Sequence, residues 1–110
     1  MPLKFLAPAG AVLALALISA PAPHAQPAAI AVKIGNFTFS PQTITVPVGA
    51  TITWTNGDDV PHTVVATDGA FRSKPLDTGD SYAFTFKTPG EHAYFCSIHP
   101  MMTGKVIVKG

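Results

Sequence analysis

The sequence predicts an all-β domain, folded as a Greek-key β-sandwich of seven to eight strands. Apolar and polar residues alternate in short runs from residue 30 onward, and no stretch of helical spacing is long enough to predict a helix. Turn residues separate these runs at intervals of about 8 to 12 positions, as in β-sandwiches and β-barrels. The chain has 110 residues, of which 47% are hydrophobic, so one domain with a packed core is expected.

The first three predicted strands follow this alternation and end at turn residues. The run IAVKI, residues 30–34, ends at Gly35, and the run TITVPVG, residues 43–49, ends at Gly49. In the run TITWTN, residues 51–56, Ile52 and Trp54 fall on one face because side chains alternate between the two faces of a strand. That face is expected to lie in the core.

The remaining predicted strands are also bounded by turn residues. The run HTVVAT, residues 62–67, follows the turn NGDDVP, and the run SYAFTF, residues 81–86, places its three aromatic residues on one face. The run EHAYFC, residues 91–96, follows a Thr-Pro-Gly turn, and the last strand is KVIVK, residues 105–109. Residues 68–79 have no clean period, so they are expected to form a long connection with at most one irregular strand.

The N-terminal 25 residues have the composition of a signal peptide. Lys4 gives a positively charged start, residues 11–18 form an apolar segment too short to span a membrane, and small residues and prolines follow. Cleavage is expected after Ala25 or after Ala22, and the alternative is an uncleaved N-terminal anchor. Residues 26–29 would form an Ala/Pro-rich tether and residues 30–110 the domain. Either arrangement places the domain outside the cytoplasm, so a periplasmic location is expected.

The charge of the chain excludes one class of partner. The formal net charge is +1, and only 12% of the residues are charged. Without Lys4, six basic and six acidic residues remain. No basic stripe is available for a nucleic acid, and no nucleophile lies at a plausible spacing from a base, so neither nucleic-acid binding nor enzyme activity is expected.

Cys96 is the only cysteine, so the chain cannot form an internal disulfide. A thiol in an oxidising compartment is expected to be buried, paired between chains or bound to a ligand. His99 lies three positions after Cys96 and Met102 three positions after His99, whereas His62 follows the turn before an earlier strand. A thiolate, two imidazoles and a weak axial thioether form the ligand set of a blue copper site. These four residues are therefore candidate ligands of one copper ion.

Each of these residues also has a simpler interpretation. Met101 competes with Met102 for the axial position, and a buried cysteine, a solvated histidine or a core methionine is common without a metal. Zinc would accept the thiolate and the imidazoles, but structural zinc usually has four N or S ligands and a thioether is a poor fourth, so copper is favoured. His92 is left out because it lies four residues before Cys96, about 13 Å away along an extended strand.

Three segments resemble those of one known family. VGATITWTN is followed by PH, and PGEHAYFCSIH comes later in the chain. In this combination the sequence resembles the cupredoxins, within the group of plastocyanin, pseudoazurin and amicyanin. The resemblance implies a Greek-key sandwich in which His62, Cys96, His99 and Met102 hold one type 1 copper ion for electron transfer. The ligand loop, in which Pro100 follows the second histidine and Met102 comes two positions later, looks most like that of amicyanin.

Two positions depart from the family pattern. Thr63 stands where many family members have an asparagine, so its backbone N–H is expected to remain a donor to the thiolate while the side-chain tie between two loops differs. Pro100 has no N–H to donate to the cysteine sulfur, which predicts a lower reduction potential than in relatives with a donor there. Ser97 and Ile98 are expected only to span the loop.

An electron carrier with this loop is expected to meet its partners at the second histidine. Transient redox proteins would dock near His99, Pro100 and Met101, on an apolar and nearly uncharged surface. The domain is expected to be a monomer with no stable membrane span after cleavage. Two other functions fit the same residues: a periplasmic carrier or scavenger that delivers copper, and a metal-free adhesion or interaction module.

Overall fold

The computed structural model describes residues 29–110, which form two four-stranded β-sheets that share one core. The strands in this range are β1 (Ala29–Gly35), β2 (Thr38–Ser40), β3 (Thr43–Pro47), β4 (Thr51–Asn56), β5 (Val65–Ala66), β6 (Ser81–Thr85), β7 (Gly90–Phe95) and β8 (Thr103–Lys109). The strand order is β2-β1-β4-β6 in the first sheet and β3-β8-β7-β5 in the second. The predicted all-β sandwich of seven to eight strands is confirmed.

The predicted signal peptide, its cleavage site and residues 26–28 of the predicted tether lie outside the described residues. The first strand begins at Ala29, where the tether was expected to end. Within residues 29–110, no helix is long and apolar enough to cross a membrane.

The chain passes between the two sheets, and this brings distant loops to one end of the sandwich. β1 pairs in parallel with β4 and β3 with β8, whereas the other strand pairs are antiparallel. β4 ends at Asn56 and β7 ends at Phe95. The segment after β4 and the segment after β7 meet, since the backbone N of Thr63 lies 3.3 Å from Sγ of Cys96.

Alternating side chains of both sheets form the core. Ile52 and Trp54 are fully buried, as predicted, and the ring centroid of Trp54 lies 5.3 Å from that of Tyr94 in the opposite sheet. The aromatic face of the run 81–86 also packs on this core, with one residue buried and two partly buried: Phe86, Tyr82 and Phe84. The period of two therefore identifies the inward side chains of both sheets.

Gly104 makes room for Tyr94 in the second sheet. The two residues are paired across β7 and β8, and a Cβ atom at position 104 would overlap the Tyr94 ring. Tyr94 is 1% exposed, so its ring has little free space to move into. This close packing fixes β7 just before Cys96, which follows the strand.

Three predicted strands are shorter in the structure. β3 ends at Pro47 because the chain turns at Gly49, whose φ of +92° lies in the left-handed region that favours glycine. β6 ends one residue early, at Thr85. In the run 62–67 only Val65–Ala66 form a strand, whereas His62 pairs with Leu76 in an isolated bridge with N···O distances of 3.1 and 2.7 Å. His62 is therefore held by the connection 68–79 and not by a sheet.

The sequence pattern does not predict β2, which has only three residues. Phe39 is buried between two exposed residues of β2, and Ser40 pairs with Lys33 of β1. The connection 68–79 contains none of the eight strands, in agreement with the prediction of at most one irregular strand. Phe71 and Leu76 nevertheless pack into the core from this connection. Buried side chains in an irregular segment explain why this stretch has no clean period.

Candidate metal centre

Three of the predicted ligands meet at the end of the sandwich where β4 and β7 end. His62 lies between β4 and β5, Cys96 directly follows β7, and His99 lies in the loop between β7 and β8. Their ligand atoms all lie within 4.8 Å of one another. His62 and Cys96 are buried and His99 is half-buried, so the cluster reaches the surface at His99.

The separations of these donor atoms suit a metal ion. Sγ of Cys96 lies 3.8 Å from Nδ1 of His62 and 3.7 Å from Nδ1 of His99. With a metal–sulfur bond of about 2.3 Å and a metal–nitrogen bond of about 2.0 Å, trigonal geometry separates sulfur from nitrogen by about 3.7 Å and tetrahedral geometry by about 3.5 Å. The observed separations suit one metal ion bound to the sulfur and to both nitrogen atoms, and a thiolate with two imidazoles is the strong donor set of His₂Cys copper sites.

The surroundings of the Cys96 thiol lower its pKa, which favours the form that binds metals. Its burial raises the pKa, but hydrogen bonds from the backbone N–H of Thr63 and from the side chains of His62 and His99 outweigh this effect and lower the pKa to about 6. The Thr63 nitrogen lies 3.3 Å from the sulfur, so the expected backbone donor is present. Because the thiolate is the form that binds metals, the site offers it near neutral pH.

The two methionines of the loop differ in burial. Met102 is 5% exposed and Met101 is 95% exposed. The N–H of Met102 donates to the carbonyl oxygen of His99 (N···O 2.8 Å), and the N–H of Cys96 donates to the carbonyl oxygen of Met102 (3.0 Å). The backbone of Met102 is therefore held between two members of the cluster.

His92 lies outside the cluster of His62, Cys96 and His99. Its Nε2 is 2.8 Å from the carbonyl oxygen of Thr88, and its ring packs edge-on against Phe86 at a centroid distance of 5.4 Å. It is a polar residue at the edge of the core, and its exclusion from the cluster agrees with the prediction.

Comparisons with known proteins agree with this arrangement. A family model for the cupredoxin-like domain matches residues 8–108. The chain belongs to the cupredoxin family. The amicyanin of Paracoccus versutus is 37% identical over 86 residues, which cover 74% of this chain and 65% of that amicyanin. The chloroplastic plastocyanin of Tetradesmus obliquus is 36% identical over 88 residues, which cover 68% of this chain and 61% of that plastocyanin.

Solved structures of copper proteins are also similar to this chain. The purple cupredoxin of Nitrosopumilus maritimus is 38% identical with a TM-score of 0.66, and the match covers 74% of this chain and 99% of that protein. The copper-containing nitrite reductase of Thermus scotoductus is 30% identical with a TM-score of 0.72, and the match covers 84% of this chain but 25% of the reductase. The predicted resemblance to the cupredoxins, with amicyanin and plastocyanin among its relatives, is confirmed.

Asp58 orients the ring of His62 in this cupredoxin. Its Oδ2 lies 2.8 Å from Nε2 of His62. The backbone N–H of Phe37 lowers the pKa of Asp58 most, and hydrogen bonds from Asn36 and His62 add to this effect against burial, which raises it. An ionised Asp58 accepts the Nε2–H of His62, so Nδ1, which lies 3.8 Å from Sγ of Cys96, is the ring nitrogen that would bind a metal ion once it has lost its proton. Asp58 is not among the site residues predicted from the sequence, although an acidic residue four positions before a candidate ligand was an available signal.

Thr63 ties the loop of His62 to the loop of Cys96. Its Oγ1 accepts the N–H of Ser97 at 2.7 Å and lies 2.8 Å from Oγ of Ser97. The same hydroxyl lies 3.7 Å from Sγ of Cys96. The expectation that Ser97 only spans the loop is therefore wrong. With threonine in place of asparagine at position 63, Ser97 is the partner through which Thr63 joins the two loops.

Asn56 organises the segment that carries His62. Its buried side chain donates through Nδ2 to the carbonyl oxygens of Val60 (2.9 Å) and Leu76 (2.8 Å), and its Oδ1 accepts the N–H of Asp58 (2.8 Å). One side chain thus satisfies three backbone groups of the loops around the site. Asn56 is also absent from the predicted site residues, although its place on the buried face of β4 was an available signal.

Proposed function

We propose that this cupredoxin is a type 1 (blue) copper protein that carries single electrons between exported redox proteins. The observation that carries the proposal is the convergence of one thiol and two imidazole Nδ1 atoms at separations that suit a single metal ion. When copper is bound, it supplies a one-electron couple between Cu(I) and Cu(II).

The proposed ligands of this single ion are His62, Cys96, His99 and Met102. The first three supply the donor atoms of the cluster. The burial of Met102 and its backbone bonds to the cluster support it as the axial thioether in preference to the exposed Met101. Three strong donors with a weak thioether favour copper over structural zinc.

The protein frame keeps these side chains in place. His62 is held by the carboxylate of Asp58 and by its backbone bridge to Leu76. Cys96 is held at the end of β7 and by the N–H of Thr63. Ligands that are fixed in advance need little rearrangement when the charge of the site changes, and this keeps the barrier to electron transfer low.

His99 is the proposed point of electron entry and exit, because it is the half-buried member of the cluster. Its neighbours Ile98 and Met101 are 46% and 95% exposed, and together with Pro100 they offer partners an apolar, uncharged surface. The six basic and six acidic residues that remain without Lys4 support brief encounters with little long-range attraction. The rate of electron exchange is expected to depend weakly on ionic strength, and a steep dependence would contradict this docking mode.

The proposal also includes a location outside the cytoplasm and a role as an electron carrier without enzyme activity. The signal peptide predicted for residues 1–25 supports a periplasmic location. All four proposed ligands come from this chain, which leaves no ligand position for a substrate. The nitrite reductase is matched over only 25% of its length, so its named activity is not carried over.

The test is the visible spectrum of the purified copper-free protein after Cu(II) is added. An intense band at the red end of the visible range, complete at one copper ion per chain, is expected from a copper-bound cysteine. Cys96→Ser is expected to abolish the band. His92→Ala is the matched control, because it removes a histidine outside the cluster and is expected to keep the band. A wild-type protein that binds copper without this band, or binds none, would contradict the proposal.

Two further measurements separate the alternatives. Met102→Ala is expected to change the spectrum and the reduction potential, whereas Met101→Ala is expected to leave both unchanged, and the reverse result would assign the axial position to Met101. Copper that stays bound in the presence of a chelator supports an electron carrier. Rapid loss to the chelator would support a protein that delivers copper.

A further inference from the structure

Phe37 is a large apolar side chain at the surface beside the candidate copper site. It lies between β1 and β2 and is 51% exposed, so core packing does not account for it. The φ angles of Asn36 and Phe37 are +52° and +59°. Asparagine adopts this left-handed region readily, but the region is unfavourable for a bulky residue such as Phe37, so the surrounding structure must hold the turn in place.

The carboxylate of Asp58 holds this turn. The N–H of Asn36 donates to Oδ1 of Asp58 at 2.6 Å, and the N–H of Phe37 donates to Oδ2 at 2.9 Å. Successive backbone N–H groups that converge in this way form a small anion-binding concavity. Since Oδ2 of Asp58 also contacts Nε2 of His62, one carboxylate positions both the turn and the first histidine of the site.

The Phe37 ring contacts both histidines of the cluster. Its centroid lies 5.5 Å from that of His62 and 5.0 Å from that of His99, with interplanar angles of 88° and 85°. The two imidazole centroids are 4.9 Å apart, so the three rings form a closed trio. Because His62 is fully buried and Phe37 is half exposed, the phenyl ring lies on the solvent side of the trio.

We propose that Phe37 is a positioning residue that keeps the imidazole of His99 beside His62 and thereby slows release of the metal, with Asp58 fixing the turn that carries it. This inference rests on the proposed copper site and adds a residue that does not touch the ion. His99 lies in a loop and is half-buried, and its ring is restrained by Sγ of Cys96 and by the rings of Phe37 and His62. Without the phenyl ring, the solvent side of His99 is open and its side chain can rotate away from the cluster.

The test measures how fast an excess of a Cu(I) chelator removes copper from the loaded, reduced protein. Phe37→Ala and Phe37→Gly both remove the ring, but glycine also tolerates the left-handed φ, so the two variants separate ring loss from backbone strain. Both are expected to release copper about tenfold faster than the wild type, which corresponds to the loss of one edge-to-face contact of about 1.4 kcal/mol. Phe37→Tyr keeps the ring and is expected to release copper at the wild-type rate.

Val48→Ala is the matched control, because Val48 is another exposed apolar residue, 43% exposed, and its N–H donates to the carbonyl oxygen of Lys109, at the end of β8 away from Met102. Its release rate is expected to equal that of the wild type. Wild-type rates in both Phe37→Ala and Phe37→Gly would overturn the proposal, and so would an equal acceleration in Phe37→Tyr.

A second readout needs no metal. Nuclear magnetic relaxation of the His99 ring in the copper-free protein is expected to show greater motion in Phe37→Ala and unchanged motion in Phe37→Tyr. If the wild type takes up no copper, the proposed function falls, and the ring motion still decides the role of Phe37. Unchanged motion of His99 in Phe37→Ala would then overturn the inference.

Discussion

The hydroxyl of Thr63 joins two loops of the site, and its removal is expected to destabilise the copper-free protein. Oγ1 accepts the N–H of Ser97 at 2.7 Å and shares a hydrogen bond with Oγ of Ser97 at 2.8 Å. Thr63 is 3% exposed, so its hydroxyl is shielded from water, and both of its bonds to Ser97 are partly buried. Thr63→Val keeps the β-branched shape and removes the hydroxyl, so the loss of hydrogen bonds is separated from a loss of volume.

The expected magnitude follows from these two bonds. Each net hydrogen bond contributes about 0.5–1.5 kcal/mol, so Thr63→Val is expected to lower the free energy of unfolding by about 1–3 kcal/mol. In a domain of this size, a loss of about 2 kcal/mol lowers the melting temperature by about 8–16 °C. Thermal and chemical denaturation of the copper-free protein measure the effect without a contribution from metal loss.

Two variants of the same kind serve as controls. Ser97→Ala removes one of the two bonds and keeps the backbone N–H, so about half of the loss is expected. Thr55→Val removes a hydroxyl from an exposed pair with Ser81 (2.7 Å) and is expected to change the free energy of unfolding by less than about 0.5 kcal/mol. If Thr63→Val is as stable as Thr55→Val, the two loops are held by other contacts and the reasoning about Thr63 is wrong.

Three other residues, Cys96, Gly104 and Pro100, give four more predictions. In the copper-free protein the pKa of Cys96 is about 6, so the ultraviolet absorbance of the thiolate is expected to rise through that pH in the wild type and not in Cys96→Ser. The unfolded thiol keeps its proton up to about its ordinary pKa of 9.0, so folding favours the thiolate between about pH 6 and pH 9. The free energy of unfolding of the wild type, relative to that of Cys96→Ser, is therefore expected to rise across this range and to lose the thiolate contribution as the pH falls through 6. A difference that does not change with pH would contradict this prediction. Gly104→Ala forces a Cβ atom into the Tyr94 ring and is expected to lower the free energy of unfolding by about 1–3 kcal/mol in denaturation experiments, whereas Gly35→Ala, with no atom within 4 Å of the new Cβ, serves as the neutral control. Pro100→Ala introduces the backbone N–H that proline lacks and that the family pattern directs to the cysteine sulfur, so it is expected to raise the reduction potential in a redox titration. An unchanged potential would show that the site does not sense this position.

Most of the fold could be predicted from local pattern. The alternation that places Ile52 and Trp54 on one face is a property of any extended chain, and it identifies their strand to the residue. The pattern failed where a segment is short or its partner is not a strand. β2 has three residues, and the backbone of His62 pairs with Leu76 in an irregular connection. Neither segment shows enough alternation of apolar and polar residues to predict a strand.

The candidate site could be predicted in part for a different reason. Cys96, His99 and Met102 lie within one loop, so their spacing alone brings them close together. His62 is 34 residues away from Cys96, and its inclusion depended on ligand chemistry and on the family resemblance. The structure brings the Nδ1 atom of His62 to the cluster and leaves His92 outside it.

By itself, the sequence determined the all-β class, the inward faces of the strands and the loop that carries three candidate ligands, because these depend on neighbours along the chain. Only the tertiary structure decided that Phe37 covers two histidines, that Asp58 joins its turn to His62 and that Thr63 meets Ser97. These contacts join segments that lie far apart in the sequence, and their relative position depends on which strands pair and on how the two sheets pack. Packing of that kind is a property of the whole core, and no local period in the sequence records it.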